Sequence, residues 1–350
     1  MTDANPLAAD MLEASAAGYA SAANALLQQA PHGDVPVRGS PMEWKAHLTQ
    51  RILELAAAVR VNEPRMFARR VSWLRRAVRA RGANEAELRS VLESLRTALD
   101  RELPESLRAT VEQPIRLAFE ALDADIEPET QSLDPSTPHG RLGLKYLTAC
   151  LEARPEAAVK LIMEALDDGV APQDAYTKVL LPAQREIGQL WHVGDAGIAE
   201  ERLVTETTRE VMTLIVSRLS PVADESLTVL TASVAGNAHD IGLRAAADLF
   251  KLAGWRSIYL GANMPTAEIG IAAQAYEPKL IVLSATLTTQ LSALAAAVEQ
   301  IRQAAPGTKI LVGGLALEGT GELWKELGAD AYAADLDAVV AAGAQSIGHQ

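Results

Sequence analysis

Five short β-rich runs follow Pro221, namely LTVLTASV, SIYLG, LIVLSA, KILVGG and ADAYAA, and Ala/Leu-rich helical stretches separate them. This alternation constrains the chain more than any other feature. Parallel strands must be joined by crossover segments long enough to hold a helix, and apolar strands of this length need cover on both faces. Residues 221–350 therefore read as a Rossmann-like, flavodoxin-like domain: a doubly wound parallel sheet of five strands. In such sheets ligands bind in the crevice outside the carboxyl ends of the strands. The loop after each run is where functional residues are expected.

Upstream, residues 140–220 carry apolar residues at helical spacing. Breaks at Pro155, at Gly169 to Pro172 and at Gly194 to Gly197 divide the stretch into four helices with the short loops of a bundle. Residues 42–122 also read as all-helical. Between these regions, residues 123–139 are acidic and rich in Pro, Ser and Thr, which is linker composition. Residues 1–41 combine an Ala-rich stretch of weak helical character with PHGDVPVRGSP, which holds three prolines and two glycines, and they read as a flexible arm. The fold class expected is thus α plus α/β: an all-α domain, a four-helix bundle and a Rossmann-like domain.

Three function classes recede on composition. No apolar run is long enough to span a bilayer, and the first residues carry acids where a signal peptide is basic, so a cytoplasmic chain without a membrane partner is expected. The single cysteine, Cys150, permits no internal disulfide and no cysteine metal cluster, and its apolar-periodic surroundings suit a buried thiol. A net charge of −13 argues against the whole molecule coating nucleic acid. One segment runs against that average: Arg60 to Arg81 contains eight arginines and one acid, Glu63. On a helical wheel Arg65, Arg69, Arg75, Arg76 and Arg79 form one sector and Phe67, Val71, Leu74 and Val78 a neighbouring apolar one. This amphipathic basic helix suits a solvated face paired with Glu85, Glu87 or Glu93, and leaves contact with nucleic acid or an acidic partner open.

The first β-rich run ends in Gly236-Asn237-Ala238-His239-Asp240-Ile241-Gly242, directly before the helix LRAAADLFKLAG, which places a histidine at a ligand-binding loop. Taken alone this is a helix-capping loop with an incidental histidine. Yet Asn237-x-His239-x-x-Gly242 resembles the Asp-x-His-x-x-Gly signature of cobalamin-binding domains. The later loops are similar to that family in the same order. Gly261-Ala262-Asn263-Met264-Pro265 matches its Gly-x-x-x-Pro turn, Ser284 to Thr288 its serine-containing loop, and Gly313-Gly314 its paired glycines.

The resemblance implies that His239 is the lower axial ligand of the cobalt, displacing the cofactor's own dimethylbenzimidazole base. It further implies that Ser284 and Thr288 offer hydroxyls to the displaced tail and that Gly313 and Gly314 leave it room. Asn237 departs from the family's Asp, whose carboxylate holds the other imidazole nitrogen; an amide oxygen can still accept that hydrogen bond without charge.

The bundle narrows the resemblance. Leu190-Trp191-His192-Val193-Gly194 ends its third helix and Ile198-Ala199-Glu200-Glu201-Arg202 begins its fourth. This is similar to the Trp-x9-Glu-His pattern of cobalamin-dependent light-sensing regulators of the carotenoid-repressor type, which shelters the upper corrin face. Trp191 and Glu201 match, Arg202 replaces the histidine, and Ile198 lies on the same segment. His192 occupies the place of the histidine that ligates cobalt after light breaks the Co–C bond. Trp191 could equally be core and His192 a helix cap.

The implied cofactor is adenosylcobalamin, with methylcobalamin or hydroxocobalamin as alternatives. The implied protein is a non-enzymatic light-responsive regulator that signals to a protein partner, such as a transcription regulator, or through self-association. Residues 42–122 show no winged helix-turn-helix, so direct DNA binding is not expected. The rival is a corrinoid protein that carries methyl groups between methyltransferases; a cofactor-free or haem-binding scaffold has only Asn237 and Arg202 in its favour.

Overall fold

The computed structural model describes residues 4–29, 41–80, 85–124, 132–219 and 221–349. The chain divides into two compact units, Met1–Pro128 and Glu129–Gln350.

The first unit is helical: α1 (Ala4–Ala14), α2 (Ala16–Gln29), α3 (Pro41–Arg60), α4 (Pro64–Ala80), α5 (Glu85–Glu102) and α6 (Glu105–Asp123). The expected flexible arm is corrected here for residues 4–29. Ala8, Leu12, Ala20, Ala23 and Leu27 are fully buried, because small alanines let α1 and α2 pack close and so supply the core that their weak polarity contrast hid. The Pro/Gly stretch at 31–40 lies outside the described residues. Helix α4 is the basic amphipathic segment, with Met66, Phe67, Val71 and Ala77 buried. Several of its arginines, and Arg60 just before it, are engaged within the unit. Arg60 meets Asp10 and Glu13 at 2.8 Å, and Arg70 Nε donates to Glu54 at 3.2 Å with its guanidinium over the Trp73 ring. Arg75 joins Glu85 to the carbonyls of Ala121 and Ala124. Beneath them Arg51 and Glu54 form a buried ion pair. Burial, with Arg51 adding to it, pushes the neighbouring His47 down to about 4.

The second unit begins before the bundle. Residues 132–139, expected to be linker, are folded: Leu133 is buried, Thr137 accepts the Gly140 N–H as the N-cap of α7, and Gly143 packs against Leu133. The capping chemistry of Pro, Ser and Thr, rather than chain flexibility, accounts for that composition; residues 125–131 lie outside the described residues. The bundle consists of α7 (Pro138–Leu151), α8 (Pro155–Asp167), a third helix and α11 (Ile198–Leu219). The third runs from α9 (Pro172–Asp174) through a π-helical segment (Ala175–Leu180) into α10 (Leu181–Val193), where Gly194 in the left-handed region ends it. Cys150 is buried, as its setting suggested.

The sheet contains β1 (Asp224–Ser233), β2 (Trp255–Tyr259), β3 (Leu280–Ser284), β4 (Lys309–Gly313) and β5 (Ala331–Ala333), all parallel, in the order β2-β1-β3-β4-β5. Between them run α12 (Ile241–Leu252), α13 (Thr266–Tyr276), α14 (Leu291–Ala304) and α15 (Leu323–Glu326), and α16 (Val339–Ser346) closes the chain. The strand order reverses between β1 and β3, so their carboxyl ends flank the crevice where ligands bind in this architecture. One apolar core runs from the bundle residues Tyr146, Tyr176 and Ile215 into Val229, Phe250 and Leu280 of the sheet domain. Among the described residues no helix is long and apolar enough to cross a membrane.

Candidate functional site

The loop between β1 and α12 is built by amides. Asn237 is fully buried; its Oδ1 accepts the backbone N–H of His239 at 3.1 Å and its Nδ2 donates to the Ser284 carbonyl at 3.1 Å. The expectation that Asn237 would hold the imidazole is corrected by this arrangement. Its side chain fastens the backbone of the histidine loop to the end of β3. Asn263, at φ 52°, takes the Gly236 N–H at 2.7 Å, and Gln290 joins Gly236 to the Thr286 and Leu287 N–H groups. Three loops at the carboxyl ends of β1, β2 and β3 thus form one bonded platform, with the His239 side chain exposed upon it.

Asn263 and Gln290 were not singled out by sequence reasoning. The signal for Asn263 was its place in the Gly-x-x-x-Pro turn, since Asn tolerates a positive φ.

Asp240 is a third residue not foreseen. It precedes α12 at the N-cap, where an Asp ordinarily accepts a backbone N–H of the first turn, yet its carboxylate makes no such bond. Arg209 of α11 and the Tyr259 hydroxyl of β2 occupy it. Burial pushes the Asp240 carboxyl up, but the guanidinium and the phenol together outweigh burial and hold it below the usual carboxylate range.

The glycines leave open space. At Gly236 and Gly242 an added Cβ would meet nothing within 4 Å, so protein packing does not require them. A glycine in the first turn of a helix costs about 1 kcal/mol against alanine, and close approach of a ligand is the physical reason left. At Gly314, by contrast, φ is 102° and a Cβ would lie 2.2 Å from the Ala285 carbonyl; at Gly313 it would lie 3.2 Å from that of Ala333. Register and strand alternation put Thr231, Ser233, Ser284 and Gly313 on one face of the sheet. Ser284 and Thr288 are half-buried there, and the Thr231 hydroxyl is buried with no hydrogen-bond partner. A neutral imidazole as single donor, uncrowded glycines beside it and an unpaired buried hydroxyl on the adjoining face suit a cobalt corrinoid with a polar tail. Leu315, 59% exposed after Gly314, adds an apolar surface beside it.

The bundle residues are arranged separately. At the end of α10 the Trp191 ring is 42% exposed while His192 is only 6% exposed, so one turn of helix presents the indole and withdraws the imidazole. Ile198 is 66% exposed at the start of α11. Glu201 is bound inward: the Thr205 hydroxyl lies 2.9 Å from Glu201 Oε1 and 3.1 Å from Gln184 Oε1, and Gln184 donates to Thr208, which pairs with Tyr146. Arg202 is exposed, with only a 3.8 Å approach to Glu201. Helix α11 joins the two groups of residues, because it carries Glu201 at one end and Arg209 in its middle.

Comparison with known proteins identifies the class. Residues 144–215 and 227–341 each match a B12 binding domain, and the two stretches together make up more than half of the chain. The chain belongs to the B12 binding family and is a cobalamin-binding protein. Among curated proteins it is similar to the HTH-type transcriptional repressor CarH of Myxococcus xanthus, 26% identical over 199 residues that make up 57% of this chain and 66% of the repressor. It is also similar to trimethylamine corrinoid protein 1 of Methanosarcina acetivorans, 25% identical over 51% of this chain and 83% of that protein. Among solved structures, the Methanosarcina barkeri monomethylamine corrinoid protein aligns with a TM-score of 0.49 and 20% identity, covering 57% of this chain and 96% of that one.

Proposed function

We propose that the chain is a cytoplasmic, non-enzymatic regulator that senses light through adenosylcobalamin. The observation that carries this reading is the pairing at the end of α10, where Trp191 is presented and His192 withheld. The exposed residues Trp191 and Ile198 cover the upper face of the cofactor, and Glu201, held by Thr205, lines it. His239 supplies the lower ligand, Asn237 fixes its loop, Ser284 and Thr288 meet the tail, and Gly313 and Gly314 give it room. Bound adenosylcobalamin contributes a cobalt–carbon bond that light can break. Trp191 then moves off, and the same rotation of the α10 terminus brings the neighbouring imidazole of His192 out of the bundle; a neutral imidazole is a competent cobalt donor. Arg202 does not compete, since a guanidinium has no lone pair to offer. The output is a change in oligomer or in a protein partner such as a transcription regulator.

The test is an absorption spectrum of the full chain loaded with adenosylcobalamin, before and after green light, for wild type and His192→Ala. The expected result is a lit wild-type spectrum that persists in the dark and differs from that of the variant, which still binds and still photolyses. Identical lit spectra overturn the sensor reading. The methyl-carrier reading would then stand, favoured by the similarity to trimethylamine corrinoid protein 1 over 83% of its length.

A further inference from the structure

The loop that carries His239 is bonded to its own domain by Asn237, Asn263 and Gln290, and to the bundle by one ion pair, Arg209 to Asp240. We propose that Arg209, Asp240 and Tyr259 form a positioning tie that makes the orientation of the His239 imidazole and the seating of α11 depend on each other. The inference rests on the reading of His239 as the cobalt ligand.

Three observations support it. Asp240 is covalently next to His239, and its carboxylate is turned away from the capping bond that its position offers and toward a residue of the other domain. The contact is bidentate, with Arg209 Nη1 reaching Oδ2 at 3.2 Å and Nη2 bonded to Oδ1, and Tyr259 donates to Oδ2 from the edge strand. A planar guanidinium against a buried carboxylate fixes an angle as well as a distance, which a lysine would not do. Arg209 also stands eight residues after Glu201 on one helix, about 12 Å along it, so a rigid rod connects the upper-face residues to the residue beside the lower ligand. One helical turn further on from each partner, Arg244 Nη2 donates to Thr213 at 2.7 Å and steadies the same pair of helices.

The experiment uses the full chain loaded with cob(II)alamin in protein labelled with isotopic histidine nitrogen, for wild type, Arg209→Met, Arg209→Lys, Tyr259→Phe and His239→Ala. Electron paramagnetic resonance reads whether a histidine nitrogen is on cobalt, and dissociation rates read affinity. The expected result for Arg209→Met is a mixed population with partial loss of the histidine coupling and about a tenfold loss of affinity, the scale of an outer-shell partner of a metal ligand. Arg209→Lys should recover affinity more fully than it recovers the histidine signal, and Tyr259→Phe should show a weaker form of the Arg209→Met change. A full histidine signal in Arg209→Met, whatever its affinity, overturns the tie provided that His239→Ala abolishes the signal. A signal that survives in His239→Ala overturns the ligand assignment itself. If Arg209→Met fails to fold, Arg209→Lys and Tyr259→Phe decide in its place, and wild-type signals in both overturn the tie.

Discussion

The two units use charge in opposite ways. In Met1–Pro128 charged side chains bind helix to helix: Arg60 to Asp10 and Glu13, Arg75 to Glu85, and the buried Arg51, Glu54 and Arg70 group within the α3 to α4 pair. In Glu129–Gln350 polar groups are concentrated where loops must be held in special shapes, at Asn237, Asn263 and Gln290, and where the bundle meets the sheet domain, at Arg209 with Asp240 and Tyr176 with Asp248. The lesson is that a polar group fastened to loop backbone at a strand end marks a binding platform, whereas an ion pair between helix faces marks assembly. Substitutions in the first unit should therefore change stability and leave the cofactor alone.

The largest effect that would break this contrast is at Glu54. Glu54→Gln leaves Arg51 buried without its counter-charge, which costs about 3 to 5 kcal/mol, and calorimetry of the full chain should show the loss in one transition. Cobalamin affinity should stay within about twofold of wild type, well under the tenfold that 1.4 kcal/mol would bring; a larger change would mean that the units share the cofactor function. Next in size is Gly314→Ala, where a Cβ 2.2 Å from the Ala285 carbonyl and a φ of 102° impose both a clash and backbone strain. The expected cost is about 2 to 3 kcal/mol, accompanied here by weaker cobalamin binding measured by titration.

The pH response sharpens the comparison because the two units carry one buried titrating group of each kind. Burial lowers His47 from 6.5 to about 4, so its neutral form favours the fold. The unfolded chain binds more protons between these values, and the stability of the first unit falls as pH drops from 6.5 toward 4. Burial raises Asp248 from 3.8 to about 6, against the opposing hydrogen bond from Tyr176 and the charge of Arg244. The native state then binds more protons, and this contribution to the second unit is lost as pH rises from 3.8 through 6. Since a tenfold change in proton affinity is worth about 1.4 kcal/mol, each contribution is on the order of 1 to 3 kcal/mol. Asp248→Asn keeps an acceptor for Tyr176 and should raise the melting temperature at pH 7.5 while changing little near pH 4. His47→Gln should flatten the acid limb of the first unit. A parallel response of the two variants would refute the contrast.

Much of the second unit was legible because its devices are local. The strand runs, Pro155, Pro172 and Gly194 mark element ends by backbone chemistry, and the spacing from Gly236 to Gly242 marks a loop before a helix. What stayed hidden is tertiary. Arg209 sits in an ordinary helical stretch, and nothing in its neighbours says that it reaches a carboxylate thirty-one residues later. The burial of His192 beside an exposed Trp191 depends on how α10 is rotated in the bundle. In the first unit α1 and α2 escaped detection because alanine buries as well as leucine in close packing but scarcely registers in a polarity pattern, and folded residues 132–139 were hidden by the same Pro, Ser and Thr content that linkers share.

The smallest expected effect concerns the position where this chain departs from the family signature. In Asn237→Asp the backbone N–H of His239 keeps its acceptor, and a carboxylate takes that bond more strongly than an amide does. The Nδ2–H bond to the Ser284 carbonyl is lost, however, and two oxygens face each other in a fully buried place. One neutral hydrogen bond is worth about 1 kcal/mol, so the cofactor-free protein should lose about that much in thermal unfolding at pH 7.5. Ser284 then loses one tie to the histidine loop, and the β1 and β3 ends are left joined by the Val234 N–H to the same carbonyl and by Gln290. An Asp variant as stable as wild type would show that the amide is not what fastens the loop, and that Gln290 and Asn263 suffice to shape the platform beneath His239.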